Sequence, residues 1–180
     1  GEGAGNGFIG NNNTYTNCTG TGTSYGFYGY NNTYTNCTGD GYGGWYASGF
    51  YGYNNTYTNC TGEGAGNGRS YGFSGYNNRI ISCTALAYIP TGVTLTDSNC
   101  VPIYNDSTSA NRFMIIRDCK FPRITKSGYQ QGTIWCNIAN NTTMKGAIKD
   151  NVYHSSFTDA VVAGTGVEQD NNSAVDITSL

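Results

Sequence analysis

The stretch Gly26-Phe27-Tyr28-Gly29-Tyr30-Asn31-Asn32-Thr33-Tyr34-Thr35-Asn36-Cys37-Thr38-Gly39 is written four times in this chain of 180 residues. The other copies run from Gly7 to Gly20, from Gly49 to Gly62 and, in worn form, from Gly72 to Cys83. In each copy the first Gly and the Cys stand eleven residues apart, and only the connection from one Cys to the next Gly varies. Self-similarity at about 19–23 residues marks a solenoid, in which one coil cannot bury its apolar face until a neighbour stacks on it. The fixed interval leaves room for two short strands and a bend. Gly-Phe-x-Gly reads as a strand with one inward aromatic, Asn-Asn as the bend, and Thr-Tyr-Thr as an alternating second strand. Asn-Cys then turns again. Asn tolerates the left-handed region, and stacked at one position its amides can bond along a ladder. This register puts Tyr15, Tyr34 and Tyr57 inside, Thr16, Thr35 and Thr58 outside, and the cysteines inward.

The cysteines at 18, 37, 60, 83, 100, 119 and 136 continue the rhythm past the clear repeats, predicting about one per coil and about eight coils. Ile116-Arg117-Asp118-Cys119 restates the turn with Asp118 for Asn, and Ile148-Lys149-Asp150-Asn151-Val152 carries it on. Cys100, with Asp97 three residues before it, and Cys136, with Trp135 beside it, fit the word poorly, so the register is expected to slip there. Pro90 and Pro102, with Thr91-Gly92 and Asn105-Asp106, mark looser connections. A C-terminal edge is expected near Val175-Asp176-Ile177, where a cap, partner subunit or further chain should cover it. The whole chain, 1–180, reads as one domain, regular over 7–83 and degenerate over 84–180.

Charged residues make up 11 % of the chain, against roughly 25 % in an average soluble protein. The 16 Tyr and 7 Phe, regularly placed, argue against disorder. A formal charge of −2 gives no electrostatic footprint for nucleic acid or an anionic membrane, and no apolar run is long enough to insert as a spanning helix. The chain opens on Gly, as a processed or excised piece would. Sequons such as Asn17-Cys18-Thr19 fall where buried turns are needed, which favours a bacterial or viral origin. Equivalent cysteines point in parallel and are odd in number, so an interior ladder of free thiols is expected rather than disulfides. With no Cys-x-x-Cys pair and a single His, neither metal nor cofactor is expected.

Gly-Phe-x-Gly-x-Asn-Asn followed by apolar-x-Asn-Cys resembles the repeats of right-handed parallel β-helix proteins, the pectate-lyase-like superfamily. Its Tyr-, Asn-, Cys- and Gly-rich wording is most similar to repetitive tail-fibre, tailspike or surface proteins of phages and bacteria. The resemblance covers 7–83 and implies an all-β, right-handed parallel β-helix. For phage fibres it further implies a homotrimer that recognises cell-surface carbohydrate, placed outside the cell on a virion or bacterial surface.

An enzyme of this fold needs clustered acids on an outer strand face. Asp40 and Glu63 fall in the variable connections; Asp118, Asp150 and His154 are catalytic candidates in the degenerate half, against their plain reading as solvated and turn residues. The connections themselves hold Tyr42, Trp45 and Tyr46, with Tyr25 and Tyr71 in the neighbouring ones. Rings with a polar tip stack on sugar faces, so this edge is the expected binding site. Three readings stand: a glycan-binding adhesion module, a polysaccharide lyase or glycoside hydrolase, and a structural fibre spacer. An outward Thr-x-Thr array, the device of ice-binding solenoids, is broken by Arg79 and Ile81.

Overall fold

A computed structural model describes residues 2–3, 5–96, 98–105, 107, 112–138, 145–158, 161–162 and 166–178; Asp97 and Asp106 lie outside them. Every regular element among these residues is a strand, and they stack into a parallel β-solenoid of about seven turns. Each coil contributes to three sheets whose stacked strands run parallel, seven, seven and eight of them, the third sheet carrying a ninth strand antiparallel. The first sheet holds the Gly-Phe-x-Gly strands, such as Tyr25–Tyr30 and Tyr46–Tyr53. The second holds Thr33–Thr35, Thr56–Thr58 and their equivalents, and the third holds Thr38–Tyr42, Thr61–Ala65 and Thr84–Pro90.

The third sheet corrects the two-strand expectation. Thr-Gly-x-Gly after each Cys looks like a loop because of its glycines, but it pairs rung by rung, Gly39 with Gly62 and Asp40 with Glu63. Glycine stands there for a packing reason. A Cβ on Gly39 would lie 2.8 Å from the Phe50 ring and 2.4 Å from the Gly49 carbonyl oxygen, so the aromatic of the first sheet already fills that space.

The two turns work as the Asn pattern predicts. Asn12, Asn31, Asn54 and Asn77 have φ between 55° and 59°, and Asn17, Asn36 and Asn59 between 52° and 54°. Outside, the amide of Asn54 donates to Asn31 at 3.1 Å and that of Asn77 to Asn54 at 2.9 Å. The second Asn of the later pairs, Asn32, Asn55 and Asn78, is buried and does more. Asn55 Oδ1 accepts the Asn32 N–H at 2.8 Å, while its Nδ2 donates to the Gly29 carbonyl and the Tyr57 hydroxyl, both at 3.0 Å. The Asn32 N–H and the Gly29 carbonyl, which the turn would otherwise strand, are thereby paired with a neighbouring coil, and the Tyr57 hydroxyl within its own.

All seven cysteines are free, and Cys37, Cys60, Cys83 and Cys119 are buried in the main core. The thiols of Cys37 and Cys60 each donate to the carbonyl two residues earlier, at 3.3 Å. Cys83 Sγ accepts the Cys60 backbone N–H at 3.3 Å, and contact with the Cys83 thiol together with burial pushes the Cys60 thiol far above the usual range. Cys100 and Cys136 leave this ladder. Both begin first-sheet strands, Cys100–Tyr104 and Cys136–Ile138, so neither closes a coil. The path runs Cys83, Cys119, Asn151, and Asn151 Oδ1 accepts the Cys119 N–H at 3.0 Å. The later coils are thus longer, and there are about seven turns instead of eight. Pro102 lies inside a strand and not in a connection. It stands opposite Gly72, at the one point where that pairing skips, so its missing N–H costs no ladder bond. The last described strand, Ser173–Val175, lies at the C-terminal edge that the sequence predicts.

Candidate functional site

On the outer face of the first sheet, two rails of tyrosine run along the solenoid axis. Tyr28 and Tyr51 stack with ring centroids 5.5 Å apart; two residues on in each strand, Tyr30, Tyr53 and Tyr76 stack at 4.9 and 5.0 Å with planes within 5°. Strand alternation puts both tyrosines of Tyr28-Gly29-Tyr30 outward, and Gly29 and Gly52 form the floor between the rails. These glycines cannot be replaced without prising coils apart: a Cβ on Gly52 would lie 1.7 Å from the Gly29 carbonyl oxygen. The result is a groove with flat walls and a row of phenolic hydroxyls. Partial desolvation and the neighbouring phenols Tyr30 and Tyr76 push the Tyr53 hydroxyl above its ordinary value, so it remains a hydrogen-bond donor at neutral pH.

The aromatics singled out from sequence divide between two places. Trp45 is 76 % exposed and Tyr42 46 %, both at the end of the Thr38–Tyr42 strand and the turn after it. The Trp45 indole lies against Gly68, where a Cβ would come within 2.5 Å of the ring. Tyr25, Tyr46 and Tyr71 belong to first-sheet strands and pack on one another beside the groove. Tyr46 meets Tyr25 and Tyr71 edge-on at 5.7 and 5.2 Å, and donates to Ser74 Oγ at 3.2 Å. Tyr71 is fully buried, stacked on Tyr104 at 4.6 Å with its hydroxyl donating to the Ser98 carbonyl at 2.6 Å. These three therefore brace the rail that carries Tyr28 and Tyr51.

The acids on the third sheet are placed by its register. Asp40 and Glu63 are neighbours on its outward face, not loop residues. The segment after Phe121 folds over this face, its Tyr129–Gln130 strand pairing antiparallel with Ile89 and Pro90, and brings Lys126 into an ion pair with Glu63. Burial, then the charge of Glu63, pushes the Asp40 carboxyl up, with Lys126 pulling the other way. One oxygen of Asp40 is buried with no hydrogen-bond partner.

Asp118 and Asp150 have φ of 55° and 57° and stack in the second turn, in line with Asn17 and its equivalents. His154 is on the third sheet, its Nε2 2.8 Å from Asp176 and its Nδ1 accepting the Ser156 N–H at 3.1 Å. The structure does not join it to either aspartate by a hydrogen bond or ion pair among the described residues. Nor do these residues contain a group of three His, Cys, Asp or Glu placed to hold a metal ion.

The groove does not stand out in the sequence, because its rings lie in the segments of fixed length and not in the connections that vary. The signal was present: Tyr30, Tyr53 and Tyr76 recur at one phase, outward of the inward Phe. No family model, curated protein or solved structure matches the chain.

Proposed function

We propose that this chain is a carbohydrate-recognition module of an extracellular surface, part of a phage tail fibre or bacterial surface protein of the pectate-lyase-like β-helix type, working as a homotrimer on cell-surface glycan. The observation that carries this reading is the groove. Its rings stack on one another and so turn their edges and phenolic hydroxyls to the groove, an apolar wall with polar tips that sugar C–H groups and hydroxyls can line at little ordering cost. The rails are rigid because each tyrosine sits on a strand fixed by its two neighbours.

Asp40 and Glu63 support a second reading, a glycan-cleaving enzyme. Two carboxyls lie on adjacent rungs, one with its proton held more tightly, which is the pairing that glycoside hydrolysis uses. One experiment separates the two. Wild type and Tyr53→Ala are compared for binding to a glycan array and to whole bacteria, with release of reducing ends read in the same incubations. Removal of one stacked ring should cost roughly 1–1.5 kcal/mol, about a ten-fold loss of binding, with no sugar released. Unchanged binding in Tyr53→Ala would sink the groove as the site, and reducing ends that vanish in Asp40→Asn would favour the enzyme.

A further inference from the structure

The histidine at the C-terminal end of the third sheet has partners that the groove does not use. His154 ends the strand Val152–His154, which pairs with Ser173–Val175, and the chain turns back at once, the Phe157 N–H donating to the His154 carbonyl at 2.9 Å. Within that turn the Ser156 hydroxyl oxygen lies 2.8 Å from His154 Nδ1, and the Ser156 N–H donates to the same nitrogen at 3.1 Å. A ring nitrogen that accepts carries no proton, so the ring proton sits on Nε2, which lies 2.8 Å from Asp176 Oδ1 and donates to it. A serine hydroxyl, an imidazole and a carboxylate thus stand in one hydrogen-bonded row. Their burial differs in a way that suits a reaction. The His154 side chain is 14 % exposed, so the ring is fixed, whereas Ser156 is open to a substrate. Asp176 is exposed but held by its backbone: the Ile177 N–H donates to the Val175 carbonyl at 3.2 Å, and the Ile177 carbonyl accepts the Arg123 N–H at 2.9 Å.

We propose that Ser156, His154 and Asp176 form a hydrolytic centre for esters of short acids, separate from the groove and independent of it. Ser156 Oγ adds to the acyl carbon while its proton passes to His154 Nδ1; the C–O bond to the alcohol then breaks, and the alcohol leaves with that proton. Water attacks the acyl-serine, giving a proton to the same nitrogen, and the acid departs as Ser156 takes the proton back. Only water is consumed. Asp176 is a positioning residue, which keeps Nδ1 toward the serine and stabilises the imidazolium as it forms. The Arg123 guanidinium, 5.3 Å from the centroid of the Phe157 ring and in no ion pair among the described residues, brings a positive charge beside the turn, where negative charge develops on the ester oxygen. The short acyl group follows from Phe157. It is the one large apolar side chain of the turn and it is buried in the core, so the turn offers a long acyl chain nothing apolar to lie on.

The test uses the full chain with p-nitrophenyl acetate and p-nitrophenyl octanoate as probes, and a fluorophosphonate to trap the nucleophile, located by peptide mass spectrometry. Thermal unfolding of each variant is followed in parallel. Wild type should cleave the acetate faster than the octanoate and carry the label on Ser156. Ser156→Ala and His154→Gln should each lose about 100-fold or more in kcat/KM while still folding. Ser155→Ala, which removes a neighbouring hydroxyl that makes no bond to the ring, should keep full activity. Asp176→Asn should lower kcat with KM unchanged, and Asp176→Glu should recover part of the loss, as expected of a residue that acts through the ring. Absence of cleavage and labelling in folded wild type, activity that survives in Ser156→Ala, or equal labelling of Ser155 and Ser156 would overturn the proposal. Faster cleavage of the octanoate would overturn the short-acyl assignment.

Discussion

The regular coils and the later ones fill the same interior by opposite means. In the regular half the first sheet supplies Phe27, Phe50 and Phe73, the second supplies Tyr34 and Tyr57, and the third supplies only Gly39 and Gly62. In the later half those rows shrink, Phe73 giving way to Ile103 and then Cys136, and Tyr57 to Ile80, Ile116 and Ile148. The third sheet grows in step, from Gly62 to Ala85, then to Phe121 paired with Tyr153. Trp135 adds a further ring, 4.5 Å from Phe121 and 5.5 Å from Tyr153. What is kept from coil to coil is the filled volume, whichever sheet provides it.

The strongest way to break that equivalence is to remove one aromatic from each half. Phe50→Ala and Phe121→Ala, both fully buried, should each cost about 3–5 kcal/mol in urea unfolding. A loss under about 1 kcal/mol for Phe121→Ala alone would mean that the later half is loosely packed and the two halves are not alike.

Smaller, but more specific to the regular half, is the buried amide ladder. Asn55→Ala strands the Asn32 N–H, the Gly29 carbonyl and the Tyr57 hydroxyl together, and should cost about 2–3 kcal/mol. The same row holds Met114 in the later half, so Met114→Leu, which changes shape but strands nothing, should cost less than about 1.5 kcal/mol. Equal costs would show that the amides only fill space.

The smallest effect concerns the outer faces. Because the folded state holds the Asp40 proton more tightly than the unfolded chain, the contribution of Asp40 to stability is highest at low pH and falls as pH rises from about 3.9, the ordinary Asp value, to the raised one. Asp40→Asn cannot ionise and should flatten that fall. Stability curves that stay parallel for the two proteins across this window would show that Asp40 is as well solvated folded as unfolded.

Much of this was legible in the sequence, and what was not failed for physical reasons. A constant Gly-to-Cys interval is a constraint of stacking, so the parallel coils, the left-handed Asn turns, the inward Tyr34 and Tyr57 and the free thiols could all be read from the aligned copies. The third strand could not. Gly39 and Gly41 look like turn residues until the Phe50 ring is known to lie against them, and spacing says nothing about a contact made across the coil. Cys100 and Cys136 misled in the opposite direction, because a buried Cys serves equally well at the start of a first-sheet strand. At the candidate site, outward Tyr30 and Tyr53 were visible as repeats, but that Gly29 and Gly52 between the rails have no room for a side chain appears only once the coils are in register.

The buried Asn of the first turn reaches no further than its own coil and those directly beside it, and the rails of the groove do the same. A duplication of one copy in the gene would therefore insert a whole rung without rewording any other, and would lengthen the groove by one ring on each rail. Reach along a polymer can in this way be adjusted in whole steps by recombination, with no new contact to be selected.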